Sequence, residues 1–479
     1  MDPKLNATLE TLARLPAVRH DAQGRRHVSL AAMLALAWPM AVNSTIQAVL
    51  GLTDTWFIGQ LSTNALAAIG AVHFLAIVFI VLLGGAGLAV QPMVAQAYGA
   101  RRSLRASNVV WLGAWCTLLT APAFVLVALA GHWILAPFAL APAIENLAVE
   151  YWVPRLLGGP VAVLLWGTSA FFNGIGRPKV SLLVAALVAV VNVALNELLI
   201  FRLGWGMAGA GWATTLAMTV GVGLVWGAFL APSVRATYRS HLTWRPSAAG
   251  LRRVLAFGLP AGIFAAVDLA AFSVFQLMQS AIGAVDGAAT QMVMALTSLA
   301  YMPAFGFALA GTTLVGQSIG AGDKDWAFRV GNASVLLQVV YMGVLAVLLA
   351  LAGPWLLSWF IADAAPDAAA VTRLGTTLLW IAAAYQVFDA LNMGSGFCLR
   401  GAGDVRVPTV MLFVLAWLGF VPLAHMLSFA PGQGWVHFLP QFGLGALGGW
   451  IAALAYIVVI GLALLGRWRS GAWRAIRIG

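Results

Sequence analysis

Three carboxylates lie inside apolar segments of this 479-residue chain, namely Asp54, Asp268 and Asp389. A carboxylate at membrane depth costs about 2.5 to 3.5 kcal/mol on insertion scales, so it normally faces a partner or a water-filled cavity and has a function. Because burial disfavours the charged form, such a group can hold a proton, or it can bind a small cation. These acids are the first candidates for chemistry.

Amide and hydroxyl groups lie on neighbouring segments. Asn192 and Asn196 share one face if VVNVALNELLIF is helical, and Thr214 lies on the next apolar segment. Around Asp54 they would form a polar pocket that holds a proton or coordinates a small hard cation through oxygen. Hydrogen bonding between helices explains the two asparagines equally well. Glu197, one residue off that face and near the aqueous boundary, ranks below them.

Membrane-spanning helices must position these groups, because 62% of the residues are hydrophobic, 9% are charged and the mean hydropathy is +0.93. The first apolar run is longer than the core of a signal peptide, so no cleaved leader is expected. The expected fold is an all-α polytopic membrane protein. Twelve spans are predicted, near 30–58, 65–97, 107–131, 147–172, 180–201, 207–231, 252–280, 288–318, 327–352, 370–398, 406–430 and 443–466.

The basic residues predict the orientation. All 26 Lys and Arg residues except Arg155, Arg202 and Arg373 lie in the terminal segments or in loops after even-numbered spans. Both termini should therefore be cytoplasmic. The net charge of +11 follows from this pattern, and without a basic groove no nucleic acid is expected as a partner.

An internal repeat organises the chain. LALAWPM (34–40) aligns with LAFGLPA (255–261), and VAQAYGA (94–100) aligns with VGQSIGA (315–321), both at an offset of 221 residues. NGIGRPK (173–179) aligns with RGAGDVR (400–406) at an offset of 227. Six spans per repeat give parallel halves, which are typical of secondary transporters. The predicted units are an N-terminal tail at 1–29, an N-lobe at 30–231, a cytoplasmic linker at 232–250, a C-lobe at 251–466 and a C-terminal tail at 467–479.

The repeat does not extend to the acids. At the repeat offsets Asp54 corresponds to Phe275, Asp268 to Gln47 and Asp389 to Ala162. The fold therefore does not require a carboxylate at these positions, which indicates that the scaffold was duplicated and the chemistry diversified. Gln47, the counterpart of Asp268, joins the candidate site residues. The glycine-rich repeat motifs lack the preceding strand and the lysine spacing of a phosphate-binding loop, and tight turns at helix ends are expected instead.

The sequence resembles the multidrug and toxic compound extrusion family, closer to the NorM-type pattern of acids. The likeness covers about residues 30–466 and rests on WPMAVNSTIQAVLGLTDTWFIGQ, VAQAYGA, NGIGRPK, NVALNELLIF, GMAGAGWAT, GLPAGI, GQSIGAGD and QVFDALNMGSGFCLRGAGD. It implies two six-helix lobes in a V around a central cavity. It also implies export of organic cations or amphipathic drugs in exchange for protons or sodium.

The resemblance carries roles over to individual positions. Asp54 matches an aspartate of the first span that is implicated in ion coupling. Asp268 lies where the NorM-type branch has a glutamate of its C-lobe cation site, and Asp389 matches the aspartate of the tenth span. Asn192, Asn196 and Thr214 match the N-lobe pocket, although the DinF-type branch typically has aspartate in place of Asn196. A sodium ion would therefore bind at Asp54, Asn192, Asn196 and Thr214, or at Asp268 and Asp389.

The expected function is antiport by alternating access in a bacterial inner membrane, by a monomer without a cofactor. The partners would be an organic cation or drug, the coupling ion and membrane lipid. A lipid-linked oligosaccharide flippase of the same superfamily is the alternative, but it would favour basic groups in the cavity, where Arg155 and Arg373 are the only candidates. An enzyme is not expected, because no nucleophile, metal or phosphate-handling cluster is present. Nothing resembles the selectivity filter of a channel.

Overall fold

The computed structural model describes residues 15–138, 141–358 and 368–476. Parts of both predicted terminal tails, residues 1–14 and 477–479, lie outside the described residues. The N-terminal part of the chain forms a two-stranded antiparallel hairpin, β1 (Val18–His20) and β2 (Arg26–Val28), in a segment that the sequence analysis treats only as a polar tail. Helices make up nearly all of the rest.

The helices run through the chain in two series. Helices α1 to α10 are Leu30–Gly59, Thr63–Leu83, Gly85–Gly99, Ser103–Leu129, Gly131–Leu135, Pro142–Leu157, Gly159–Gly174, Pro178–Asn196, Gly206–Phe229 and Pro232–Tyr238. Helices α11 to α17 are Ala248–Ile282, Ala284–Gly320, Lys324–Ser358, Ala368–Ala402, Arg406–Phe413, Val421–Ser428 and Gly445–Arg469. π-Helical turns at Glu197–Arg202 and Val414–Phe420 follow α8 and α15, and 3₁₀ turns lie at Ala136–Phe138 and Ala472–Ala475.

The membrane-spanning segments confirm the polytopic helical fold. Within the described residues ten helical segments are long and apolar enough to cross a bilayer, and two bent helix pairs raise the number to twelve. The bent pairs are Pro142–Leu157 with Gly159–Gly174, and Val285–Ser298 with Tyr301–Gly320. This upper number equals the one predicted from hydropathy.

One predicted span is wrong in detail. The segment 65–97 was expected to be continuous, but it breaks at Gly84 into α2 and α3. A Cβ atom on Gly84 would overlap the Val163 side chain, and one on Gly85 would overlap the backbone of Gly258. The chain is therefore redirected where it passes close to α7 and α11.

Buried apolar side chains form two large clusters. One extends from Leu50 to Ala261 along the chain and includes Val405, and the other extends from Ala271 to Trp473. Helix α11 contributes its first half to one cluster and its second half to the other. The clusters support two lobes. The lobe boundaries stay predictions, and the predicted linker at 232–250 contains α10 and the first residues of α11.

The two halves meet through residues that are counterparts in the repeat. A Cβ atom on Gly99 would overlap the carbonyl oxygen of Gln317, and one on Gly320 would overlap the carbonyl oxygen of Gln96. The Gln96 side-chain amide donates to the Gly401 carbonyl at 3.0 Å, and the Gln317 amide donates to the Gly174 carbonyl at 2.8 Å. The repeat motifs therefore form the same contact twice, once from each half.

Tight turns follow these contacts, as the sequence predicts. Gly176, Gly322 and Gly403 have φ angles of 77°, 88° and 95° at the ends of α7, α12 and α14. Glycine adopts these positive φ angles without the steric cost that a Cβ atom brings. The glycine-rich motifs are therefore helix ends and helix contacts.

The hairpin before α1 packs on the loop between α12 and α13. Arg26 Nη1 lies 2.8 Å from Asp323 Oδ2, and Trp326 Nε1 donates to the Pro16 carbonyl at 3.0 Å. On the C-terminal side, Lys324 Nζ donates to the Arg474 carbonyl at 2.6 Å and Arg474 pairs with Asp325 at 2.8 Å. Segments near both ends of the chain thus hold one loop of the second half.

The Gly320→Ala substitution should destabilise the protein. Its Cβ atom would meet the Gln96 backbone, which cannot move as a side-chain end does, and overpacking of this kind costs about 1 to 3 kcal/mol. The melting temperature of the purified protein in detergent measures the effect. Gly343→Ala is the matched control, since nothing lies within 4 Å of that Cβ position. Equal melting temperatures for the two variants would contradict the close contact.

Candidate functional site

Asp54 lies on α1 and is almost completely buried, with 1% of its surface exposed. Its Oδ1 atom accepts a 2.7 Å hydrogen bond from Asn196 Nδ2 of α8, and its Oδ2 atom accepts a 2.8 Å hydrogen bond from the Thr214 hydroxyl of α9. Asn196 Nδ2 also lies 3.1 Å from Asn192 Oδ1, and Asn192 Nδ2 lies 3.4 Å from Thr214 Oγ1. The structure thus brings together all four residues that the sequence analysis places in one pocket.

The local sequence explains how three helices approach so closely. Asn192 and Asn196 are one helical turn apart on α8, which puts both amides on the face toward α1. Thr214 follows the small residues of GMAGAGWA, and a Cβ atom on Gly211 would overlap Pro154 of α6. Small residues let the helix backbones approach, so that the short Thr214 side chain reaches the carboxylate.

One atom of this group has no partner. Asn196 is fully buried, and its Oδ1 atom makes no hydrogen bond with any described residue. A buried polar atom without a partner costs about 1 to 3 kcal/mol, so this oxygen is a candidate contact for a ligand or for a second orientation of the amide. The Asn196 Oδ1 atom is therefore available to bind a small cation or to accept a hydrogen bond from a protonated group.

Three further polar groups surround the Asp54 group and were not assigned to it from the sequence. Arg155 of α6 is 6% exposed, and its guanidinium group lies 4.0 Å from Met218 Sδ. It lies within electrostatic range of Asp54, of His73 and of the Tyr151 hydroxyl. Arg155 is an exception to the charge pattern of the loops, and this exception was the only sequence signal for it.

Two candidates stand apart from the Asp54 group. Glu197 is half exposed, and its carboxylate lies 3.7 Å from Arg202, so it faces away from the pocket. Gln47 lies on α1 two helical turns before Asp54, and the described contacts include no hydrogen bond from it to Asp54, Asn196 or Thr214. The structure therefore gives neither residue a direct contact with the group.

The second half contains a separate pair of acids, Asp268 on α11 and Asp389 on α14. Asp268 Oδ1 accepts a hydrogen bond from the Tyr456 hydroxyl at 3.3 Å, and Asp389 Oδ1 accepts one from Asn392 Nδ2 at 3.0 Å. Asp389 is 2% exposed, and its Oδ2 atom has no hydrogen-bond partner among the described residues. The two carboxylates lie within electrostatic range of each other.

A narrow cavity of about 40 Å³ leads away from Asp268. Residues of α11, α12 and α14 line it, among them Asp268, Tyr301, Asn392 and Arg400. This volume has room for a few water molecules or for one small ion. Asp268 therefore keeps part of its surface accessible inside the protein, while Asp389 does not.

Three tyrosines surround the acid pair and were missed in the sequence. Tyr301, Tyr385 and Tyr456 all lie within electrostatic range of both carboxylates. The chain has only seven tyrosines, so three of them at one site is a concentration. The only signal was a hydroxyl inside an apolar run, which is weaker than that of a carboxylate.

The repeat counterpart of Asp54 confirms that the two halves differ chemically. Phe275 is 1% exposed, and its ring lies 5.5 Å from that of Phe420 and 5.9 Å from that of Trp450. Aromatic rings fill the place where the first half has its polar group. No group of three or more His, Cys, Asp or Glu side chains in the described part of the chain could hold a transition metal.

A polytopic helical bundle with two structurally related halves, and with buried carboxylates in each, defines the class of secondary membrane transporters. The family model described as MatE matches residues 39–198 and 260–424, which together make up more than half of the chain. The chain therefore belongs to the MatE family of transporters. The two matched segments begin 221 residues apart, which is the offset of the internal repeat.

Curated relatives match nearly the whole chain. A probable multidrug resistance protein NorM from Mesorhizobium japonicum is 29% identical over 452 residues, which cover 91% of this chain and 93% of that protein. A NorM protein from Brucella suis with the same description is 28% identical over 474 residues, covering 97% and 98%. The chain is thus of the NorM type within its family.

Solved structures show the same fold. A MOP superfamily transporter from Pyrococcus furiosus superposes with a TM-score of 0.81 at 20% identity, over 93% of this chain and 96% of that one. A multidrug resistance MATE transporter in an outward-facing conformation superposes with a TM-score of 0.79 at 21% identity, over the same shares.

The Thr214→Val substitution should destabilise the protein by about 1 to 3 kcal/mol, because it removes a hydroxyl donor from a buried carboxylate at nearly constant volume. Thermal unfolding of the purified protein measures the loss. Thr219→Val is the matched control on the same helix, since that hydroxyl is exposed and bonds only to the Thr215 carbonyl one turn earlier. Equal losses in both variants would show that the contact with Asp54 contributes nothing.

Proposed function

We propose that the protein is a secondary active antiporter that exports organic cations or amphipathic drugs in exchange for protons or sodium. The observation that carries the proposal is a pair of buried carboxylate sites, one in each half, each with an unpartnered oxygen atom. These atoms are Asn196 Oδ1 and Asp389 Oδ2. Acids at membrane depth normally serve ion or substrate pathways. The relatives described as multidrug resistance proteins support drugs as the substrate class.

The N-lobe group suits a proton better than sodium. Both oxygen atoms of Asp54 accept hydrogen bonds, from an amide and from a hydroxyl, and Asn196 stands where the DinF-type branch typically has an aspartate. If the Asn196 amide rotates, its free oxygen can accept a hydrogen bond from a protonated Asp54. The pair of acids in the C-lobe offers more negative charge and more oxygen atoms, which suits sodium or a cationic substrate.

Alternating access requires the two lobes to separate at each end in turn. The excess of Lys and Arg supports a cytoplasmic position for the loops after the even-numbered spans and for both termini. The contacts of Gln96 with Gly401 and of Gln317 with Gly174 lie beside these loops. Opening toward the cytoplasm would break these two hydrogen bonds, and re-forming them would close that side again.

Competition between the coupling ion and the substrate for the carboxylates couples ion entry to substrate export. A proton or sodium ion that enters from outside neutralises a site and releases a cationic substrate, and the return of the site to the cytoplasm releases the ion. Each net positive charge carried inward gains about 2.3 kcal/mol per 100 mV, enough for about a fiftyfold substrate gradient. We place this antiporter in a bacterial inner membrane as a monomer.

A lipid-linked oligosaccharide flippase fits the structure less well. Its diphosphate would need basic groups that converge on the transport path. Arg155 is buried among side chains of the N-lobe, and Arg373 is exposed on α14. These two bases therefore do not converge on one phosphate site.

The Asp54→Asn substitution should abolish coupled efflux, because an amide can neither release a proton nor balance a cation. The assay is efflux of a fluorescent organic cation from everted vesicles, with pH and sodium gradients imposed separately. Glu197→Gln is the matched control, since this nearby acid is half exposed and paired with Arg202. Normal efflux in Asp54→Asn would refute the proposed role, and no efflux by wild type under either gradient would favour the flippase.

The Asp268→Asn substitution should weaken binding of the organic cation and reduce the sodium-driven part of efflux, because one of two neighbouring negative charges is lost. Equilibrium binding of the fluorescent cation to purified protein, with and without sodium, measures the change. Asp325→Asn is the control, since its carboxylate is 80% exposed and pairs with Arg474. Unchanged binding in Asp268→Asn would exclude this acid from the cation site.

A further inference from the structure

The chain between the two halves does not project into solvent but lies along α4. Four side chains of α4 donate hydrogen bonds to backbone carbonyls of this linker. The Ser107 hydroxyl donates to Tyr238 at 2.7 Å, and the Asn108 amide donates to Thr243 at 2.9 Å. The Trp111 indole donates to Ser240 at 2.7 Å, and the Trp115 indole donates to Trp244 at 2.8 Å. These donors follow one side of the helix. The chain from Tyr238 to Trp244 is thereby held against it.

The length of α4 puts this segment at the level of the membrane boundary. Helix α4 is about 40 Å long at 1.5 Å per residue, about 10 Å more than the hydrocarbon core of a bilayer. Trp115 lies about 18 Å from the first residue of α4. Even if all the excess length projected on the linker side, the Trp115 backbone would lie about 8 Å inside the hydrocarbon boundary. Its indole leans back toward the start of α4, so it meets the Trp244 carbonyl close to that boundary.

The position beside the membrane explains the hydrogen bonds between α4 and the linker carbonyls. Irregular backbone in contact with lipid has no water to satisfy its carbonyl groups, so other protein groups must satisfy them. The α4 side chains supply those donors. The apolar side chains of the same segment point outward, since Leu242 is 60% and Trp244 is 46% exposed.

The segment is also strongly basic. Residues 231–253 contain five arginines and no Asp or Glu. Arg239, Arg245, Arg252 and Arg253 are exposed, and the Arg245 guanidinium lies 5.9 Å from the centre of the Trp244 ring. Arg253 lies within electrostatic range of Arg105 on α4. Cations that lie beside exposed apolar groups match a ligand with an anionic head and an apolar tail.

We propose that residues 239–253 form a binding site for an anionic phospholipid of the membrane leaflet that they face, with the arginines holding the headgroup phosphate and Leu242 and Trp244 contacting the acyl chains. A soluble protein or a nucleic acid would not supply the acyl chains that Leu242 and Trp244 contact at the membrane boundary. The site lies on the lipid-facing side of α4, away from Asp54 and from the acid pair of the C-lobe. It therefore does not depend on the proposed antiport.

The test uses the full-length protein with Leu242→Cys labelled by an environment-sensitive nitrobenzoxadiazole dye. Labelling is selective, because Cys116 and Cys398 are buried. The protein is reconstituted in phosphatidylcholine vesicles that contain a fixed minor fraction of spin-labelled phosphatidylglycerol or spin-labelled phosphatidylcholine. We expect blue-shifted emission and stronger quenching by the phosphatidylglycerol. The same dye at Asp325→Cys, a highly exposed position in the first turn of α13, serves as the aqueous reference.

The arginines are tested in the labelled background with Arg245→Gln and Arg253→Gln together. Selectivity for phosphatidylglycerol should fall by about fivefold for each arginine removed. The matched control is Arg406→Gln with Arg469→Gln, two exposed arginines of the other half that change the net charge equally.

Two results would overturn the proposal. Emission like that of the aqueous reference, without quenching by either lipid, would remove residue 242 from the membrane. Equal quenching by both lipids would leave a membrane contact without an anionic-lipid site. If the double variant does not fold, the comparison of the two lipids on the labelled protein alone decides.

Discussion

Polar groups inside a bilayer must find their partners within the protein, and this constraint determines where each unusual feature of the molecule lies. The Asp54 carboxylate is held by donors from two other helices, the two acids of the second half are held by an amide and a tyrosine hydroxyl, and the linker carbonyls are held by side chains of α4. Buried polar atoms that have no hydrogen-bond partner are informative for the same reason. The oxygen atoms of Asn196 and Asp389 that have no partner are the places where the proposed coupling ion would bind.

Gene duplication explains why the frame is symmetric while the sites are not. The glutamines and glycines at the contact between the halves occur in both copies and make the same hydrogen bonds twice. These contacts depend on backbone approach, which tolerates only glycine. The position of Asp54 is instead filled by Phe275 in the other copy, where aromatic packing replaces a polar pocket. Two unlike sites on one symmetric frame can respond to different ions or substrates when the frame moves.

The sequence predicted those parts of the structure that depend on spacing along one helix. The number of spans, the turns after the repeat motifs and the shared face of Asn192 and Asn196 all follow from periodicity. The meeting of these amides with Asp54 also matched, because a lone carboxylate in a span needs polar neighbours. Arg155 and the three tyrosines of the C-lobe were not predicted, because their neighbours come from other helices and an isolated hydroxyl in a span is not costly. Gln47 was chosen by repeat position alone, and repeat position does not carry side-chain contacts.

The hairpin of β1 and β2 gives the residues before α1 a structural role. The hydropathy profile suggests that the folded part of the chain begins at α1. On that basis a shortened version that starts at Leu30 would be expected to fold. Such a version would lose the Pro16 carbonyl that binds the Trp326 indole and the Arg26 guanidinium that pairs with Asp323. Expression work on this protein should therefore keep residues 15–29, because they contact the same region at the start of α13 as the segment around Arg474.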